Sequence, residues 1–171
     1  LGSLPRDEGA ILWDVASRTV TARVAGPSGK LGPVWIGLVD DPVRVVSRLG
    51  RDRLATWRVA SGERVATDTL IQRDVGGSVD AIALSPDGAR AYVGDPWGHL
   101  HVVDLDAMSS DAVTVGREWG GQYPGGWNRV ESVAVAPDGL TVATAVNDAR
   151  VIFWDARTME RVRVVDRGWS H

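Results

Sequence analysis

The sequence predicts an all-β fold assembled from repeated units of four short antiparallel strands. Three observations carry this. The segment VDAIALSPDG (79–88) returns as VESVAVAPDG (130–139), 51 residues on, and the match runs without a gap from 79–104 to 130–155. Apolar residues come in runs of four to six, rich in β-branched Val and punctuated by Gly, Pro, Asp and Asn, which suits strands. No stretch holds helical periodicity with caps over three turns.

Further copies extend the repeat upstream. At an offset of 46, Ile36, Gly37 and Leu38 fall on Ile82, Ala83 and Leu84, and Asp41 falls on Asp87 and then Asp138. Trp57-Arg58 falls on Val103-Asp104 and Trp154-Asp155, while AILWDVASRTV carries Trp13-Asp14. The marker positions 14, 58, 104 and 155 are spaced by 44, 46 and 51. They divide the chain into a half unit (1–26) and full units at 27–70, 71–117 and 118–171.

Within a unit, the first strand (Ile82-Ala83-Leu84) is almost continuously apolar, as burial on both faces requires. Pro86-Asp87-Gly88 and Pro137-Asp138-Gly139 suit a tight turn, because Pro presets φ, Asp caps locally and Gly accepts positive φ. Second strands are expected at 89–93 and 140–145, and third strands at 99–105 and 150–155. Fourth strands are expected at 20–24, 64–67, 112–115 and 161–165. Trp35, beside an apolar run, reads as core.

Four antiparallel strands recurring every 40 to 50 residues are the signature of β-propeller blades. Trp13-Asp14 and Trp154-Asp155 at the ends of third strands, with the SPDG and APDG turns, resemble the WD-repeat (WD40) β-propeller family. DGARAYVGDPWGHLHVVDLD is similar to the bacterial propellers built on a YVTN-type repeat. The resemblance covers nearly the whole chain and implies about three full blades plus a half blade. Trp13, Asp14, Trp57, Asp104, Asp148, Trp154 and Asp155 would then be structural blade markers, the tryptophans packing between blades with their indole N–H satisfied locally. A typical WD blade also sets a His before its first strand, bonded in a network with Ser/Thr, Asp and Trp. That position falls on Gly29, Val75 and Gly126, so only a partial network from Asp148, Trp154 and Thr144 is expected. Since seven blades are typical of the family, the chain is expected to be the C-terminal part of a longer propeller. Blades of the parent chain or a second copy would close the ring; a compact three- or four-blade assembly is the alternative.

Composition excludes several function classes. The 171 residues carry a net charge of −3, with no basic excess of the kind a nucleic-acid partner selects. There is no Cys, hence no disulfide or thiolate metal site. No segment approaches the roughly 18 apolar residues of a membrane span, and a cytoplasmic protein is expected.

Catalytic motifs fail on inspection. Gly26-Pro27-Ser28-Gly29-Lys30 is too short for a phosphate loop, and Leu31 stands where Ser or Thr would hold Mg²⁺. His99 and His101 share one strand face at i, i+2, but zinc needs a third ligand and none is recognised nearby in sequence. Asp104 and Asp106 read as the blade-ending Asp and a turn residue. No enzyme activity, metal or cofactor is expected.

A protein partner is the expected ligand. Trp97 falls in a loop between second and third strands, and Trp119, Tyr123 and Trp127 fall in the long REWGGQYPGGWNR loop. In a propeller these two loop classes emerge on one face, where the rings could meet a partner or cap the blade ends. Arg51 belongs with Arg48, Arg53 and Arg58 to an Arg-rich patch suited to an acidic partner or to a solvated edge. A non-catalytic interaction scaffold is the expected function. The alternative is a YVTN- or lactonase-like propeller holding a metal, cofactor or small molecule in its central channel. The residues at the channel mouth differ between copies (Lys30 and Gly32, Ser78 and Asp80, Arg129 and Glu131), which favours the scaffold.

Overall fold

A computed structural model describes residues 8–25, 36–40, 43–49, 53–60, 63–71, 81–96, 98–107, 109–114, 129–147 and 149–166. All the regular structure among them is β. The chain divides into two units, 1–71 and 72–171.

In the first unit, β1 (Glu8–Asp14) and β2 (Thr19–Ala25) form an antiparallel ribbon. A four-stranded meander follows, of β3 (Ile36–Asp40), β4 (Val43–Leu49), β5 (Arg53–Ala60) and β6 (Glu63–Ile71). Strand β6 runs well past the expected 64–67. Asp68 interrupts the apolar run, but the register shifts there, with Thr67 opposite Thr56 and Thr69 opposite Ala55. A bulge absorbs the polar residue and pairing continues to Ile71.

The second unit holds two further meanders. The third sheet is β7 (Ala81–Leu84), β8 (Arg90–Gly94), β9 (His99–Asp104) and β10 (Ser109–Thr114). The fourth is β11 (Val130–Val135), β12 (Thr141–Val146), β13 (Arg150–Asp155) and β14 (Arg161–Asp166). Strand β10 starts earlier than the expected 112–115, with Ser109, Ser110 and Asp111 paired to Asp104, Val103 and Val102 of β9.

The two SPDG-like turns close alike. Gly88 N–H donates to Ser85 C=O and Gly139 N–H to Ala136 C=O, each at 2.9 Å, with φ of 68° and 72° at the glycines. Asp87 Oδ1 accepts from Ala89 N–H, and Asp138 Oδ1 from Leu140 N–H. Marker aspartates cap the hairpins between third and fourth strands. Asp104 Oδ1 accepts from Asp106 and Ala107 N–H, Asp155 Oδ1 from Arg157 and Thr158 N–H, and Asp14 Oδ1 from Ser17 N–H. Hydrogen bonds from the Ser17 side chain and then its backbone hold the Asp14 carboxyl below the usual carboxylate range, and those from the Thr158 and Arg157 backbone do the same for Asp155.

Strand β11 lies against β7 and β8, so the third and fourth sheets share one core. Ala81, Tyr92 and Leu100 enter it from the third sheet; Val133, Val142, Val146, Ile152 and Trp154 enter from the fourth. Tyr92 Oη and Arg90 Nη1 both donate to Ala156 C=O, at 3.2 and 3.0 Å. A bulge between Val130 and Ser132 turns Val130 and Val133 to the same buried face. Trp154 is buried and its Nε1–H donates to Thr144 Oγ1 at 3.0 Å.

Trp13, by contrast, is 60% exposed. Among the described residues the β1–β2 ribbon has no second-strand neighbour that could supply a hydroxyl like that of Thr144. Among the described residues no helix is long and apolar enough to cross a membrane.

Candidate functional site

The chemistry-bearing cluster of the described residues lies where β8 turns into β9. Asp95 follows Gly94 directly, and its side chain is 2% exposed. The chain doubles back at once: Asp95 N–H donates to His99 C=O at 3.1 Å, and His99 N–H donates to Asp95 Oδ1 at 2.8 Å. Gly98, at φ 85°, takes the left-handed conformation that a side chain would resist. The Asp95 carbonyl accepts from Gly98 N–H and from Val130 N–H, which ties the turn to the first strand of the fourth sheet.

Alternation along β9 then sets two imidazoles on one face. His99 Nδ1 lies 2.8 Å and His101 Nε2 3.0 Å from the same oxygen, Asp95 Oδ2. The rings meet edge to face, with centroids 5.9 Å apart and planes at 60°. His101 is buried, its side chain 7% exposed, and sits opposite Val93 in the β8–β9 ladder; the His99 side chain is 37% exposed and opens the cluster to solvent. Burial by itself would raise the Asp95 pKa. The hydrogen bonds from His101 and from the His99 backbone and ring outweigh it and lower the value to about 2. Asp95 is therefore a buried carboxylate held ionised by its neighbours.

The donor atoms of Asp95, His99 and His101 all lie within 4.8 Å of one another. This corrects the view that His99 and His101 lack a third ligand. The missing signal was the hairpin: Asp95-Pro96-Trp97-Gly98 is a turn sequence, and a turn brings a residue four positions upstream of His99 to its side. Spacing along an extended strand sets Asp95 far from His101; the turn sets them in contact.

Of the residues expected to meet a partner, Trp97, Trp119, Tyr123, Trp127 and Arg51 lie outside the described residues, as do Trp35 and Asp148. Arg48 is placed on β4, and Arg53, Trp57 and Arg58 on β5. Thr144 and Trp154 are brought together as described above.

No family model matches the chain, and no curated protein matches it.

Proposed function

We propose that the chain is a run of WD-repeat-like propeller blades, with YVTN-like character in its third unit, acting as a non-catalytic cytoplasmic scaffold for a protein partner. One observation supports this reading above the others: the third and fourth sheets meet through non-equivalent faces, in a head-to-tail manner. Tyr92, Leu100 and Val102 of the third sheet cover the fourth. Their equivalents 51 residues on are Ala143, Val151 and Phe153, apolar and half-buried on the opposite face of the fourth sheet from Trp154. Conversely, Val142, Thr144, Ile152 and Trp154, which face the third sheet, correspond to Ala91, Val93, His101 and Val103, all buried. Each sheet thus has one face suited to its predecessor and one suited to its successor. Head-to-tail contacts of this kind propagate, and they close into a ring when the rotation allows. Ala143, Val151 and Phe153 are the surface on which a further blade would stack, from the parent chain or from a second copy.

On this reading the mechanism is display. Rigid sheets carry loops on one face, and Trp97, Trp119, Tyr123, Trp127 and Arg51 contact the partner there.

The test compares the partner bound in cells by the tagged chain with that bound by a variant carrying Trp97→Ala, Trp119→Ala, Tyr123→Ala and Trp127→Ala, with far-ultraviolet circular dichroism as the folding control. The scaffold reading expects at least a tenfold loss of affinity for a partner that binds the unaltered chain. Equal binding by a folded variant would overturn the assignment of that surface.

A further inference from the structure

We propose that Asp95, His99 and His101 bind one divalent transition-metal ion of the zinc class, coordinated by Asp95 Oδ2, His99 Nδ1 and His101 Nε2. The inference rests on the β8–β9 turn and stands apart from the scaffold reading.

Donor chemistry is the first argument. Two imidazole nitrogens and one carboxylate oxygen suit zinc, nickel, copper or cobalt, whereas magnesium and calcium select all-oxygen sets. The three atoms already converge. Tetrahedral coordination at about 2.0–2.1 Å sets ligand atoms roughly 3.3–3.5 Å apart. The two contacts to Asp95 Oδ2, at 2.8 and 3.0 Å, need to open by only about half an ångström. Each imidazole binds in its neutral form through the nitrogen now facing Asp95, its remaining proton residing on the other ring nitrogen.

Orientation is the second argument. Asp95 Oδ1 is occupied by the His99 backbone N–H, which fixes the carboxylate and aims Oδ2 at the imidazoles. Such outer bonds are what hold metal ligands in place. Burial is the third: the Asp95 and His101 side chains are 2% and 7% exposed, so an ion held there is shielded from bulk water. The half-exposed His99 provides an access path, and a water or a partner's donor could complete the coordination from that side.

The fourth argument comes from the repeat. At the equivalent positions of the fourth sheet stand Val146, Arg150 and Ile152, none of which reproduces the cluster. That hairpin nevertheless forms, with Ala149 at φ 67° where Gly98 stands at 85°, and with Ala156 N–H donating to Leu140 C=O as Leu105 N–H does to Ala89 C=O. The fold does not require the triad; the third unit carries it as an addition.

Chelator-treated protein titrated with Zn²⁺ by calorimetry, and with Co²⁺ by visible absorption, tests the site. Saturable 1:1 binding is expected, with Co²⁺ d–d bands that mark nitrogen and oxygen coordination. His99→Ala, at a half-exposed position, should stay folded by circular dichroism and weaken Zn²⁺ binding at least tenfold. Asp95→Asn should do the same, and His171→Ala, which removes the chain's third His, should leave binding unchanged. Failure of the unaltered protein to bind one equivalent would overturn the proposal, as would full affinity in folded His99→Ala.

Discussion

Gly94 and Val130 meet so closely that no side chain fits between them: a Cβ built on Gly94 would lie 2.5 Å from Val130 Cγ1 and 2.7 Å from Val130 Cβ. The contact lies where β8 and β11 bring the third and fourth sheets together, and the Asp95 C=O bond to Val130 N–H fixes the spacing. Gly94→Ala must therefore push the sheets apart or strain Val130. A loss of about 1–3 kcal/mol is expected, the usual range for overpacking. Val130→Ala introduced into that variant removes the methyl at 2.5 Å but keeps the Cβ at 2.7 Å, so it should relieve part of the clash, and the two substitutions should cost somewhat less together than the sum of their separate effects. Urea unfolding of the three variants checks this.

Thr144 and Trp154 should behave as a coupled pair. Thr144 is fully buried and its hydroxyl accepts the indole N–H. Thr144→Val keeps the shape but leaves that N–H without its acceptor, for an expected loss of about 1–3 kcal/mol. Trp154→Phe alone removes the donor and part of the packing. In the double variant nothing polar is stranded, so a double-mutant cycle should return a favourable coupling of about 1 kcal/mol. Zero coupling would show that the bond contributes nothing.

What could be read in advance divides along a physical line. Strand β13 follows the expected 150–155, and the SPDG-like turns close as their Pro, Asp and Gly demand, because these features depend on neighbours in sequence. Thr144 and Trp154 were expected, with Asp148, in a partial network implied by the family resemblance, and these two are hydrogen-bonded. Asp95 was not legible. Its role arises from a reversal of chain direction that makes residues 95 and 101 neighbours, and periodicity along a strand does not register that. Trp13-Asp14 copies Trp154-Asp155, yet Trp13 is 60% exposed: burial of an indole depends on adjoining strands, and among the described residues β1 and β2 form a two-stranded sheet. The length of β6 was missed because Asp68 looks like a terminator until the bulge that accommodates it is seen.

The repeat also exposes a strained residue. Ala149 holds φ 67° at the position that Gly98 occupies in the preceding sheet. An L side chain in the left-handed region costs about 1–2 kcal/mol, against about 0.4–1 kcal/mol for the extra unfolded-state freedom of Gly. Ala149→Gly should therefore stabilise the chain, by about 0.5–1 kcal/mol net. Gly98→Ala should destabilise it, because it introduces the same strain beside the buried Asp95 carboxylate. Opposite signs in thermal unfolding are expected; equal signs would mean that the two turns are not equivalent.

Acid should act through Asp95. Its folded pKa, about 2, lies below the usual 3.8, so folding favours the ionised form. For a depressed carboxylate the contribution is complete above the unfolded pKa and disappears as pH falls through the folded one. The window thus runs from about pH 4 down to about pH 2. A shift of this size corresponds to about 2 kcal/mol. Asp95→Asn has no proton to take up, so its stability should vary less with pH across that window, and its deficit against the unaltered chain should shrink as pH falls. His101→Leu removes one of the bonds that hold the carboxylate ionised while leaving it buried. The Asp95 pKa should then rise, moving the acid-sensitive window of this variant to higher pH. Unfolding free energies of the three proteins between pH 2 and 6 separate these outcomes. An unchanged window in His101→Leu would mean that the His101 Nε2 contact does not set the ionisation of Asp95.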